Sequence, residues 1–246
     1  MEVDGRVCVV TGAARGIGAA LADAMNAAGA QTVVRADIRE GDGVERCDVT
    51  VESEVAGLIE RVWREQGRID VFCSNAGIAV GGGPEATDEE WDRIWRVNTL
   101  AHVYVARHLV PRMLERGEGY LVGTVSAAGL LNHVTAMPYG VTKAAALSLF
   151  EWLSIAHHDA GLRVSALCPQ GVKTEMLGFG DSMSAVLAQS ALEPAQVAQV
   201  VLEGMREERF LILPHPEVAR YYANRADDNE RWLRGMRRMR AGLLST

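Results

Sequence analysis

The chain has 246 residues, 48% of them hydrophobic and 23% charged, with a formal net charge of −7. That size and apolar content suit one large α/β-type core, while the acidic balance argues against a nucleic-acid partner, whose phosphates attract a basic surface. No apolar run approaches the ~20 residues of a membrane span, and Met1-Glu2-Val3-Asp4 lacks the basic and apolar regions of a signal peptide, so the cytoplasm is the expected location.

Taken in chain order, apolar runs of strand length fall at 7–10, 31–36, 71–74, 120–125, 164–168 and 210–213. Segments with helical periodicity at 16–28, 51–66, 88–116 and 138–160 separate them. This alternation predicts an α/β fold with a doubly wound parallel sheet covered by helices on both faces, joined by right-handed crossovers. Continuous apolar strands such as Val7-Cys8-Val9-Val10 suit a sheet buried on both sides.

The first strand runs into Thr11-Gly12-Ala13-Ala14-Arg15-Gly16-Ile17-Gly18, which opens the first helix. Glycines there let the backbone turn sharply and approach a ligand, and the helix N-terminus offers free N–H groups and partial positive charge to a pyrophosphate. Asp37 ends the second strand, 19 positions past Gly18. A carboxylate in that place accepts hydrogen bonds from a ribose hydroxyl and repels a 2′-phosphate. NAD is therefore expected, with NADP the less favoured cofactor, although Arg15, Arg35 and Arg39 stand nearby and could partly compensate.

Thr87-Asp88-Glu89-Glu90 reads as a capping box, and Pro138 places Tyr139 near a helix start. Tyr139 and Lys143, four apart, share a helix face, so the ammonium is expected to favour the phenolate. Ser126 lies thirteen residues upstream. Residues 178–193, with scattered Gly, Ser and apolar positions, read as an irregular flap, and a flexible substrate lid is expected over about 175–193. At 228–243, Trp232, Met236, Met239 and Leu243 recur at helical spacing among Arg231, Arg234, Arg237, Arg238 and Arg240. This amphipathic helix is read as packing on its own subunit or a neighbour, in preference to a membrane surface or an acidic partner.

These motifs together resemble the short-chain dehydrogenase/reductase family over nearly the whole chain: the glycine turn, Asp48, Asn75-Ala76-Gly77, Asn98, Ser126, Tyr139 with Lys143, and Pro169-Gln170-Gly171-Val172-Lys173-Thr174. The resemblance implies a single Rossmann-type domain spanning 1–246. It also implies that Tyr139 exchanges the proton of a substrate hydroxyl or carbonyl and Ser126 holds the same oxygen. Lys143 would bind the nicotinamide ribose, and Asn98 would hold a water linking the lysine to solvent. By the same resemblance, Gly12, Arg15, Gly16, Ile17 and Gly18 meet the cofactor, with Asp48 and Val49 at the adenine and Asn75, Ala76 and Gly77 along it. Pro169, Gly171, Val172 and Thr174 complete the cofactor set, the last two at the carboxamide. Two departures from the pattern are Ser74, where an asparagine is usual, and Gln170; the first bears on local packing. Association as a homodimer or homotetramer through the helices containing Asn98 and Tyr139 is a further implication.

Cys8, Cys47, Cys73 and Cys168 lie in or beside apolar runs and read as reduced core thiols, and no His or Cys spacing suits a metal. His133 reads first as a surface loop residue, with a place beside the substrate as the alternative. Leu130, Leu131, Met137, Met176, Leu177 and Phe179 surround the catalytic positions in sequence, so an apolar secondary alcohol or its ketone is the expected substrate. The competing readings are an NADP-dependent 3-oxoacyl or carbonyl reductase and a dinucleotide-binding protein without catalysis. Asp37 speaks against the first, and the complete set of Ser126, Tyr139, Lys143 and Asn98 against the second.

Overall fold

The computed structural model describes residues 1–178 and 182–245. Phe179, one of the expected substrate-lining residues, lies outside them.

The strands are β1 (Val7–Thr11), β2 (Thr32–Asp37), β3 (Val44–Arg46), β4 (Val71–Ser74), β5 (Gly119–Thr124), β6 (Leu162–Leu167) and β7 (Leu211–Ile212). They form one sheet in the order β3-β2-β1-β4-β5-β6-β7, parallel at every pairing. Chain order reverses between β1 and β4, and ligands of such sheets bind beyond the strand ends at that switch point. β3 is absent from the six expected strands because its three residues, Val-Glu-Arg, form a short edge without an apolar run.

On one face, α1 (Gly16–Ala27) and α8 (Pro194–Arg206) cover Cys8, Val10, Val71, Cys73, Tyr120 and Val122. On the other, α2 (Glu52–Gln66), α4 (Ala101–Arg116) and α6 (Met137–His157) cover Val7, Val9, Phe72 and Leu121. Burial from both sides explains the continuous apolar strands. The four cysteines are buried and free. Among the described residues, no helix is long and apolar enough to cross a membrane.

The single helix expected over 88–116 is instead α3 (Asp88–Trp95), a π turn over Arg96–Leu100, and α4. Thr87 begins α3 with a complete capping box: its Oγ1 accepts from the Glu90 N–H at 3.2 Å and its own N–H donates to Glu90 Oε2 at 2.9 Å. The π turn carries one extra residue per turn, so helical periodicity runs through it while the facing of the side chains changes. The segment 178–193, expected to be irregular, contains α7 (Ser182–Ala188) after a 3₁₀ turn at Glu175–Gly178; Ala185, Val186 and Leu187 supply helix-compatible residues between the polar ones. Besides these, α5 (Ala127–Leu131), α9 (Glu217–Asp227) and α10 (Asn229–Leu244) complete the described helices, with α5, α8 and α9 beyond those expected from sequence.

Gly123 decides how closely α6 approaches the sheet. A Cβ at this β5 position would fall 1.9 Å from the ring of buried Phe150 on α6. Gly123→Ala must therefore displace that ring or the helix that carries Tyr139 and Lys143, and a loss of ~1–3 kcal/mol is expected for such overpacking. Urea unfolding checks this; an unchanged midpoint would show that Phe150 repacks freely.

Candidate active site

A single cleft of about 1710 Å³ opens at the carboxyl ends of β1, β2, β4 and β5. It exceeds the ~300–1,000 Å³ of a pocket for one ordinary ligand. Every residue expected at the cofactor lines it: Gly12, Arg15, Gly16, Ile17, Gly18, Asp37, Asp48, Val49, Asn75, Ala76, Gly77, Tyr139, Lys143, Pro169, Gly171, Val172 and Thr174. Ser126 lines the same cleft, whereas Asn98 sits fully buried behind it.

The glycine turn is a cradle made by the absence of side chains. Gly12 and Gly16 have φ of 66° and 58°, a left-handed conformation that glycine tolerates. A Cβ on Gly12 would lie 2.8 Å from the Ala76 Cα, and one on Gly18 would lie 2.1 Å from the Gly12 carbonyl oxygen. The turn, α1 and the segment after β4 thus interlock at van der Waals contact. Arg15 precedes α1 without making a side-chain cap, so the helix N-terminus keeps its N–H groups toward the cleft. This geometry fits a dinucleotide pyrophosphate.

Asp37 closes the cradle from β2. Its Oδ2 accepts from the Ala14 N–H at 3.1 Å and its Oδ1 from the Arg39 N–H at 3.0 Å. Arg15 and Arg39 are both ion-paired to Glu175 in the 3₁₀ turn, Arg39 at 3.8 Å. Asp48 Oδ1 accepts from both the N–H and Oγ1 of Thr50, at 2.9 and 2.7 Å. Ile38, an exposed apolar residue beside Asp37, also lines the cleft; an apolar position directly past a strand end was its sequence signal.

The reacting end is assembled from β5, α5 and α6. Ser126 follows β5 and starts α5, its Oγ accepting from the Ala128 N–H at 3.1 Å. Pro138 lies in the first turn of α6, as expected, and places Tyr139 one residue further along. Lys143 is almost wholly buried, and its ammonium donates to the Thr124 carbonyl at 2.9 Å. Its Nζ stands 5.8 Å from the centroid of the Tyr139 ring.

The expected acidification of Tyr139 by Lys143 is not what the protein by itself shows. Burial pushes the phenol pKa above its ordinary value of 10, and a hydrogen bond with Ser126 only partly opposes this. Desolvation disfavours the phenolate, while the lysine loses part of its own charge preference. Burial pushes Lys143 from 10.5 down to about 8.

Asn98 lies in the π turn, a local distortion found often at functional sites. Its carboxamide clamps Ile78, accepting from the Ile78 N–H and donating to the Ile78 carbonyl, both at 2.9 Å, and reaches Thr142 Oγ1 at 3.3 Å. The missing side chain of Gly77 leaves a gap beside both groups: a Cβ there would lie 3.4 Å from Lys143 Nζ and 3.5 Å from Asn98 Oδ1.

Several sequence readings are corrected by packing. His133 is not a plain surface residue: it is half-buried, lines the cleft and meets the Tyr139 ring edge-to-face at 6.0 Å. Leu130 is buried in the core, and Met137 is exposed outside the cleft, because adjacent helical residues point in different directions. Leu131, Met176 and Leu177 do line it. Ser74 pairs with His102, Oγ to Nδ1 at 2.6 Å, with the imidazole held down to about 3 by burial and by the Lys143 charge. At Gln170, the N–H donates to His215 Nδ1 at 3.2 Å. The C-terminal helices α9 and α10 add Tyr221, Asn224, Trp232, Met236 and Met239 to the cleft, contacts that linear distance from Tyr139 concealed. Among the described residues, no three His, Cys, Asp or Glu side chains gather as metal ligands.

Because the folded pKa of Lys143 lies below that of the unfolded chain, the unfolded state binds more protons between pH 8 and 10.5. Stability from this group is therefore complete only above about 10.5 and is lost as pH falls through 8. Comparison with Lys143→Met removes the other titrations from the difference. The unfolding free energy of the wild type relative to the variant is expected to rise by roughly 3 kcal/mol from pH 7.5 to 10.5. A constant difference across that range, read by urea titration, would mean that the ammonium is well solvated.

A family model described as short chain dehydrogenase matches residues 6–184. The 1-deoxy-11-beta-hydroxypentalenate dehydrogenase of Streptomyces exfoliatus is 32% identical, covering 93% of this chain and 90% of the relative. The meso-2,3-butanediol dehydrogenase of Serratia marcescens is 31% identical over 82% and 87% of the two chains. A short-chain dehydrogenase/reductase from Burkholderia phymatum, solved in complex with NAD, superposes with a TM-score of 0.84 at 27% identity, covering 94% of this chain and 96% of its own.

Proposed function

Since the chain belongs to the short-chain dehydrogenase/reductase family, and so is an oxidoreductase acting on CH–OH groups with a nicotinamide cofactor, we propose that it interconverts an apolar secondary alcohol and its ketone with NAD(H). The observation that carries this reading is the continuity of one cleft from the glycine cradle to Ser126, Tyr139 and Lys143.

In this reading the cofactor supplies the hydride acceptor or donor. Tyr139 gives its phenolic proton to the carbonyl oxygen in reduction, or takes the hydroxyl proton in oxidation. Ser126 donates a hydrogen bond to the same oxygen and stabilises the charge that develops there. Burial keeps the phenol protonated at neutral pH, which suits it as the acid; as a base it needs positive charge beyond Lys143. We place the proton exit beside Gly77, between Lys143 Nζ and Asn98 Oδ1, with Asn98 holding that wall through Ile78.

The preference for NAD rests on charge. Asp37 faces the cleft with a carboxylate, and Arg15 and Arg39, the cations a 2′-phosphate would seek, are already paired to Glu175. The relative solved with NAD is consistent with this choice. Binding followed by cofactor fluorescence should give at least a tenfold lower Kd for NADH than for NADPH, and the reverse order would overturn the preference.

Leu131, Met176, Leu177, Leu187 and Trp232 supply the apolar wall that favours an apolar substrate. We take 1–246 as one domain, with residues 175–178 and 182–193 as the lid over that wall; the rest of the lid expected from sequence lies outside the described residues. Two or four copies are expected to join through α4 and α6, the latter presenting Trp152 and Ile155 to solvent. Four free thiols support a reducing compartment, the cytoplasm.

Tyr139→Phe keeps the ring and removes the proton. Turnover of a secondary alcohol, measured by NADH absorbance, should fall at least a hundredfold, with the Kd for NADH within twofold of wild type. Retained turnover would remove Tyr139 from the reaction.

A further inference from the structure

Gly235 is an unexplained residue in a well-placed helix. It sits in the middle of α10, where glycine is a poor helix former because of its backbone freedom. Neither usual reason for a glycine applies: its φ is not positive, and a Cβ built on it would meet nothing within 4 Å. Gly235 lines the cleft, together with Trp232, Met236 and Met239 and with Arg231 and Arg238 of the same helix.

That helix is held in a defined place. Asp228 caps α10 by accepting from the Arg231 N–H at 2.8 Å, Trp232 packs against the main core cluster, and Arg240 donates to the Val134 carbonyl at 3.0 Å. Val134 adjoins His133, whose ring contacts Tyr139. The distance from the reacting oxygen to the α10 wall is thus set by the fold, and the absent side chain at 235 widens the cleft between Trp232 and Met239, with Arg231 and Arg238 at its edges.

We infer that Gly235 is a specificity-determining residue: it forms a notch in the far wall of the substrate site that admits the distal end of a bulky, multi-ring apolar alcohol. This deepens the alcohol dehydrogenase reading and rests on it. Small alcohols do not reach the notch, so they gain nothing from it.

The test compares Gly235→Leu with Gly242→Leu. Gly242 lies on the same helix, also with nothing within 4 Å of a built Cβ, but outside the cleft. Both substitutions should raise the melting temperature, since leucine is the better helix former. With cyclohexanol and a tetracyclic 3-hydroxysteroid as probes, Gly242→Leu should leave the ratio of the two KM values as in wild type. Gly235→Leu should raise that ratio, steroid over cyclohexanol, at least tenfold. In parallel, the Kd values of cyclohexanone and the matching 3-ketosteroid are measured by calorimetry with NADH bound. A tenfold shift in the Kd ratio without turnover of either alcohol by the wild type would refute the dehydrogenase reading and keep the notch. Unchanged KM and Kd ratios in Gly235→Leu, an equal shift in Gly242→Leu, or no steroid binding by the wild type would overturn the notch itself.

Discussion

One side-chain amide holds the two halves of the cleft in register. Asn75, just past β4, donates from Nδ2 to the Thr11 carbonyl at 2.9 Å and to the Gly12 carbonyl at 3.3 Å, while its Oδ1 accepts from Thr124 Oγ1 at 2.9 Å. Its backbone N–H donates to Thr11 Oγ1 at 3.0 Å. The ends of β1, β4 and β5 are thereby tied where the sheet order reverses. The glycine turn hangs on the first of these strands and Ser126 on the last, so their separation depends on a buried network whose members satisfy one another. The same Thr124 provides the carbonyl that receives the Lys143 ammonium.

Electrostatics at the reacting end follow from burial. Lys143 has one carbonyl partner in a desolvated place, and Tyr139 is desolvated with it, so each is pushed toward its neutral form. His102, close enough for its charge to interact with Lys143, stays neutral through burial and pairs with Ser74. The unusual serine in β4 and the histidine on α4 are thus one packing solution, and they add no competing cation.

The far wall of the cleft is built from the end of the chain. α9 approaches α5, with Arg225 donating to the Leu130 carbonyl, and α10 returns to Val134 through Arg240. Arg240, read from sequence as part of a basic helix face, instead caps a backbone carbonyl of the chain, as Arg225 of α9 does. Part of the apolar side of α10 is used within this subunit, where Trp232 packs on the core and Met236 and Met239 line the cleft, while Leu233 and Leu244 stay exposed.

Local chemistry in the sequence determined the strand and helix alternation, the glycine cradle with Asp37, the capping box at Thr87 and the grouping of Ser126, Tyr139 and Lys143. Each of these arises from residues close in the chain or from a motif with a fixed spacing, so a linear reading suffices. The tertiary structure alone decided the rest. β3 has too few residues to show a pattern. The π turn at Asn98 preserves helical periodicity while changing its phase. His133 reaches Tyr139, and α10 reaches the cleft, only through packing. The protonation of Tyr139 turned on how much water the fold removes from the phenol, a quantity set by neighbours distant in sequence, and so the lysine four residues away did not by itself decide it.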